Sequence, residues 1–269
     1  MNKISFAVSF LLLAVYTSLA QKNKKEYTIS DCITFFSEER VVKNSTGWAF
    51  WFIPADGIAD TLSVKMSCVD KGIKTHEPHS HFEDELFYMV EGTSIIHLNG
   101  EEHVLNQGDA FYAPGNSFHN IRRVDDKPIR YLMFKREIRG KLPNPFLPGK
   151  KDYSMKDCLI PFDHSLHTQK DGRQEMWYLT KEMSAGGLNA RLQIVSDSHP
   201  CKQDDYSGQE VFFILEGKAE VSINGEKRVI EALSSCYCFP NSKHSIRKVG
   251  GDILKLSLIH ISEPTRHAQ

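Results

Sequence analysis

From Leu62 onward, apolar residues gather in short runs separated by turn residues, the pattern of β-strands. Such runs cover Leu62–Cys68, Glu85–Val90, Thr93–Leu98, Ala110–Ala113, Ile129–Phe134, Arg191–Ser196, Val211–Leu215, Ala219–Ile223 and Cys236–Phe239. Each is rich in β-branched or aromatic residues, and Gly, Asn, Asp or Pro bounds it. Asn99-Gly100 and Asn224-Gly225 follow two of these runs and predict tight hairpin turns. No amphipathic helix of useful length appears after the first 20 residues. The pattern predicts an all-β chain.

The second half repeats the first. Tyr27–Phe36 (YTISDCITFF) recurs as Tyr153–Phe162 (YSMKDCLIPF), and Trp51-Phe52-Ile53 as Trp177-Tyr178-Leu179. Glu85–Gly92 (ELFYMVEG) recurs as Glu210–Gly217 (EVFFILEG), and the stretch from Asn116 to His119 as that from Asn241 to His244. A repeat of this length implies two tandem domains of similar fold. Pro143–Lys151, PNPFLPGKK, is the expected linker.

Candidate chemistry concentrates in one copy. His79, His81 and Glu85 follow the pattern His-x-His-x3-Glu, and His119 closes the segment GDAFYAPGNSFH. Alternation along a strand points His79 and His81 the same way, and Glu85 can join them after a short turn. His119 reaches them only if the sheet curls round. Three imidazoles and one carboxylate suit Mn, Fe, Co, Ni or Zn and leave positions open for water or substrate. As single residues these would be ordinary polar groups on a strand. His76, in the same loop, reads as a rim residue or a support behind the ligands.

These two segments resemble the motifs of the cupin superfamily of small β-barrels. Gly72 sits one residue too far from His79 for the family's first motif, and Asn116 stands where its second motif has a glycine. Asn tolerates the left-handed turn nearly as well. The resemblance implies two tandem jelly-roll barrels, a bicupin, with His79, His81, Glu85 and His119 as ligands of one divalent first-row transition metal. It also implies that the barrels pack face to face. Phe87 and Met89, on the same face as Glu85, are candidates for an apolar pocket wall, with plain core filling the alternative.

In the second copy Asp204 and Tyr206 replace the two histidines, while Glu210 and His244 remain. Losing two imidazoles removes most of the affinity for a late first-row metal. The second barrel is therefore expected to be a relic, the alternative being a harder ion such as Mn or Mg on Asp204, Glu210 and His244.

Lys and Arg together number 33 against 34 Asp and Glu, interspersed throughout. No basic stripe with interleaved aromatics suggests a nucleic-acid partner, and no glycine-rich phosphate cradle is present. Residues 1–20 read as a signal peptide: Asn2-Lys3, the apolar run Ile4–Tyr16, and small residues before Gln21. The run is too short for a stable span after cleavage. Export, to the periplasm in a bacterium and otherwise by secretion, is the expectation. Six cysteines permit disulfides but define no pairing. The tail LSLIHISEPTR, Leu256–Arg266, reads as a translated sequencing adapter, which puts His260 and His267 outside any site. The expected organisation is thus a signal peptide at 1–20, a metal-binding barrel at 21–148, a degenerate barrel at 149–255 and an artefactual tail at 256–269.

Cupins include dioxygenases, decarboxylases, lyases, isomerases and plain binders, so fold alone does not set the reaction. A metal with an open face in a small dry barrel suits a small carboxylate or sugar acid that chelates it. The alternative is a non-catalytic ligand- or carbohydrate-binding barrel with a structural metal. No pattern in the sequence sets an oligomeric state.

Overall fold

The structure is a computed structural model that describes residues 27–59, 61–70, 76–136, 153–163, 167–170, 173–180, 183–184, 187–196, 208–251 and 253–261. The leader, the linker stretch 143–151, Gly72, Asp204 and Tyr206 lie outside the described residues.

Twenty strands, two single-turn α-helices and one 3-10 turn (Glu38–Arg40) lie among the described residues. In the first half the strands are β1 (Ile33–Phe35), β2 (Val42–Asn44), β3 (Gly47–Ile53), β4 (Leu62–Val69), β5 (Glu85–Glu91), β6 (Ser94–Leu98), β7 (Glu101–Leu105), β8 (Ala110–Ala113), β9 (His119–Arg123) and β10 (Ile129–Arg136). In the second half they are β11 (Leu159–Ile160), β12 (Thr168–Lys170), β13 (Arg173–Leu179), β14 (Leu188–Val195), β15 (Gln209–Glu216), β16 (Lys218–Ile223), β17 (Glu226–Glu231), β18 (Ser234–Cys238), β19 (His244–Val249) and β20 (Leu254–Ile261).

They form two barrels of one plan, each a seven-stranded antiparallel sheet faced by a three-stranded one. The first joins β11-β8-β5-β10-β4-β3-β2 to β7-β6-β9, and the second joins β1-β18-β15-β20-β14-β13-β12 to β17-β16-β19. The chain is all-β, two jelly-roll barrels in tandem. Both hairpins turn where the Asn-Gly pairs stand, with Asn99 and Asn224 each at φ 49° followed by a positive-φ glycine. Such a turn needs two left-handed residues in succession, which Asn and Gly supply at least cost.

The strand orders show that the halves exchange their first segments. β1, at the start of the chain, pairs with β18 of the second barrel through Ile33↔Cys236. β11, at the start of the second half, pairs with β8 of the first barrel through Leu159↔Phe111. Each arm begins with a single helical turn closed by a capping box, Thr28 with Asp31 and Ser154 with Asp157. Contiguous boundaries at 21–148 and 149–255 therefore do not coincide with the two sheets. The recurrence of YTISDCITFF as YSMKDCLIPF marks the two arms as counterparts but carries no information about which barrel receives each.

The barrels pack against each other through the faces of their large sheets. Phe52 and Phe213 meet with ring centroids 4.8 Å apart, Tyr88 and Tyr178 at 5.3 Å, and Gln209 Nε2 donates to Thr61 Oγ1 at 2.8 Å. Leu62, Val64, Met66, Leu192, Phe213 and Ile259 belong to one continuous core across this seam. The interior of the second barrel is a separate core that includes Phe212, Ile214, Val221, Cys236 and Leu258.

The last strand runs to Ile261, past the expected end at residue 255. Leu254, Leu256 and Leu258 alternate into the second barrel's core while Ile259 and Ile261 enter the seam. β20 pairs along its length with both β14 and β15. The leucine alternation continues across the point where the segment was expected to leave the fold, so residues 256–261 are part of the sheet. Residues 262–269 lie outside the described residues.

Candidate metal centre

His79, His81 and His119 each bring a ring nitrogen to one place, with those atoms all within 4.8 Å of one another. Their ring centroids lie 5.0–5.4 Å apart pairwise. Glu85, at the first position of β5 and 4 % exposed, completes the cluster. Its Oε1 is 3.2 Å from His81 Nε2 and its Oε2 is 3.2 Å from His119 Nε2.

The local backbone differs from the expected strand. His79 sits in an isolated bridge to His119, with His119 N–H donating to the His79 carbonyl at 2.9 Å and the reverse bond at 3.2 Å. His81 lies outside any ladder, and the Asn116 N–H holds its carbonyl at 2.6 Å. One bridge and one turn therefore position the two imidazoles. Asn116 takes φ 68°, the left-handed conformation that its side chain tolerates. Gly115 is required for close passage: a Cβ there would stand 2.2 Å from the Phe82 carbonyl oxygen. Its N–H donates to buried Asp84 Oδ1 at 2.8 Å, which ties the turn to the His81 loop.

Hydrogen bonds behind the ligands fix their tautomers. His119 Nδ1 donates to the Ser117 carbonyl at 3.0 Å and His81 Nδ1 to the Glu83 carbonyl at 3.1 Å. With Nδ1 protonated, each neutral ring aims an Nε2 lone pair at the Glu85 carboxylate. A lone pair facing a carboxylate oxygen at 3.2 Å is repulsive unless a proton or cation lies between them. His81 Nε2 is also buried and off the line of any hydrogen bond. Orphaned nitrogen, converging lone pairs and carboxylate together fit a divalent cation. Supporting contacts of this kind are characteristic of metal-ligating histidines.

Electrostatics agree. Where protons rather than an ion fill the gap, burial would raise the Glu85 carboxyl, but hydrogen bonds and positive charge from His119 and His81 outweigh it and hold it well below the usual range. His79, the most open of the three, has its pKa pulled down to about 4 by desolvation and then by repulsion from His119, His76 and His81. Both groups are thus in the ligating form near neutrality. His76 is exposed on the rim, its ring centroid 4.6 Å from that of His79. Phe87 sits 6.2 Å from the His119 ring and 5.7 Å from that of Tyr131, whose phenol burial pushes up to about 12. Met89 lies deeper, fully buried, with its sulfur accepting from Ser94 Oγ at 3.3 Å. Motif reading missed Glu83, Tyr131 and Lys135. Only strand register, with Lys135 opposite Glu85, could have flagged the last.

The second barrel repeats the scaffold but not the opening. His244 Nδ1 donates to the Ser242 carbonyl at 2.9 Å, as in the first copy. Its Nε2, however, closes directly on Glu210 Oε2 at 2.5 Å, and both side chains are completely buried. His260 Nε2 stands 3.4 Å from Glu210 Oε1. Among the described residues, the three donors that all lie within 4.8 Å of one another are His79, His81 and His119 of the first barrel.

Comparison with known proteins agrees with the fold. Residues 65–135 match the cupin domain. An uncharacterised protein of Methanocaldococcus jannaschii is 29 % identical over 20 % of this chain and 44 % of its own length. One of Aquifex aeolicus is 32 % identical over 26 % of this chain and 59 % of its own. The chain thus spans about half the length of these curated relatives. A Lactobacillus farciminis oxalate decarboxylase structure in complex with formate superposes with TM-score 0.69 at 14 % identity, covering 87 % of both chains. A Bacillus subtilis oxalate decarboxylase, an enzyme with Mn(II) centres, also gives TM-score 0.69, at 17 % identity over 89 % of this chain and 79 % of that one. The segment 65–135 that carries the histidine cluster is thus similar to the cupin domain, and the whole chain shares the two-barrel fold of these structures.

Proposed function

We propose that the chain is a metal-dependent bicupin enzyme acting on a small carboxylate, exported from the cell that makes it. The observation that carries this reading is the convergence of His81 Nε2 and His119 Nε2 on the two Glu85 oxygens, with His81 Nε2 left without a hydrogen-bond partner. His79, His81, Glu85 and His119 would hold one divalent first-row ion. Such an ion supplies Lewis-acid polarisation of a chelating carboxylate, enol or hydroxyl oxygen. His79 is exposed, so the cluster has an open side, which favours substrate access over a closed structural site. Phe87 and Tyr131 wall off water on the inner side, and the Ser117 and Glu83 carbonyls keep two rings oriented.

Mn(II) is the first identity to test, because the similar Bacillus subtilis enzyme has Mn(II) centres. Oxalate is the first substrate to test, with other small hydroxy and keto acids beside it. The experiment is elemental analysis of protein from its native compartment, followed by carbon dioxide release and oxygen uptake with that panel. Stoichiometric metal and turnover of one carboxylate are the expected result. Full metal occupancy with no turnover of any candidate would favour the binding-protein reading. Export is supported by the leader pattern of residues 1–20 and is tested by N-terminal sequencing of the mature protein.

A further inference from the structure

We propose that Lys135 anchors the anionic group of the substrate beside the metal. The assignment rests on the metal-site reading above and adds a residue that no cupin motif contains. Lys135 lies directly opposite Glu85 in the β10–β5 ladder, so both side chains project from the same face into the first barrel. Its Nζ is 3.7 Å from Glu85 Oε1 and 3.8 Å from Glu83 Oε2, and the side chain is 22 % exposed. Glu83 in turn lies 3.3 Å from His81 Nδ1. One ammonium thus stands at the edge of the cluster, half out of water.

Charge gives it a role. Three neutral imidazoles, the carboxylates of Glu83 and Glu85, and Lys135 leave this group of side chains with one net negative charge. A divalent ion reverses that to one net positive charge. The ion also draws on Glu85, the closer of the two carboxylates now balancing Lys135. An ammonium beside a dication in a partly dry site is stabilised by an incoming anion. A small carboxylate held by such an ion would have a second oxygen to offer to Nζ. The geometry is confined to this barrel: at the matching register of the second, His260 stands opposite Glu210.

The test uses the full-length protein loaded with Co(II), whose visible absorption responds to ligands. Oxalate probes anion binding, and imidazole probes access to the metal without charge. Lys135→Met should weaken oxalate roughly 10- to 100-fold, the range for one lost charge-assisted hydrogen bond. Imidazole binding should stay within about twofold, and Lys135→Arg should restore most of the oxalate affinity. Unaltered oxalate binding in Lys135→Met would overturn the assignment and leave Lys135 a structural partner of Glu83 and Glu85. Equal weakening of oxalate and imidazole would overturn it too, by showing that the residue acts through the metal. Failure of the unmodified protein to bind Co(II) would instead remove the metal site itself, and the proposal with it.

Discussion

Phe52 and Phe213 meet edge to face across the seam between the barrels, ring centroids 4.8 Å apart and planes at 90°. Their repeat mates, Tyr178 and Tyr88, meet in the same seam at 5.3 Å. Each strand that contributes a ring in one barrel thus contributes its counterpart in the other, and the seam has approximate twofold symmetry. Edge-to-face contact sets the positive ring edge against the negative face of its neighbour, so the pair contributes beyond its buried area.

Phe213→Ala should therefore cost about 3–5 kcal/mol of stability, as for other large aromatic truncations in a closed core. A double-mutant cycle with Phe52→Ala should give a coupling of about 0.5–1.5 kcal/mol by denaturant unfolding. Strict additivity would show that the two rings do not stabilise one another.

His81→Ala separates a catalytic metal from a structural one. Metal affinity should fall more than about 100-fold, while the melting temperature of the metal-free variant should move by no more than about 4 °C. The barrel core does not depend on the ligands, so folding should survive loss of the ion. A large melting drop, matched by chelating the unmodified protein, would mean that metal binding is part of the folding free energy.

Gly115→Ala tests how the loop is held. The added methyl meets the Phe82 carbonyl, backbone that cannot swing aside as a flexible side chain could. The predicted outcome is roughly 1–3 kcal/mol of destabilisation with impaired metal binding. Normal metal titration in this variant would show that the turn does not set the position of His81.

The His79 pKa of about 4, below its ordinary 6.5, carries a pH signature. Between those values the unfolded chain binds a proton that the folded one does not, so stability rises with pH across that window. On acidification the metal-free protein should lose stability from about pH 6.5 down to about pH 4, with no further loss from this group below. Glu85, held low, loses its contribution progressively as the pH falls from its ordinary 4.5 toward its lower folded pKa. His79→Asn should flatten the upper part of the melting profile, and an unchanged profile would assign the dependence elsewhere.

Local patterns in the sequence carried much of this architecture. Asn99-Gly100 and Asn224-Gly225 marked both hairpins because only a few residues accept the left-handed pair that such turns require. His79, His81, Glu85 and His119 were legible because their spacing belongs to a motif. Three features were not. His79 and His81 lie on an irregular loop because a single bridge to His119, not a ladder, orients them. Lys135 depends on register between two strands whose pairing no local pattern records. The strand over 256–261 is masked in the sequence by the adapter-like string LSLIHISEPTR, yet Leu256 and Leu258 fill the second barrel's core.

The exchanged arms bear on how the protein is made. During synthesis the first barrel cannot complete its large sheet until Leu159 and Ile160 have emerged, well into the second half of the chain. The second barrel must recruit Ile33–Phe35, made before the strands of the first barrel, as an edge strand. Neither half is a finished product when its own stretch of translation ends. A backbone cut between residues 136 and 153 would yield two fragments, each holding a strand of the other's sheet, which should stay together until denatured.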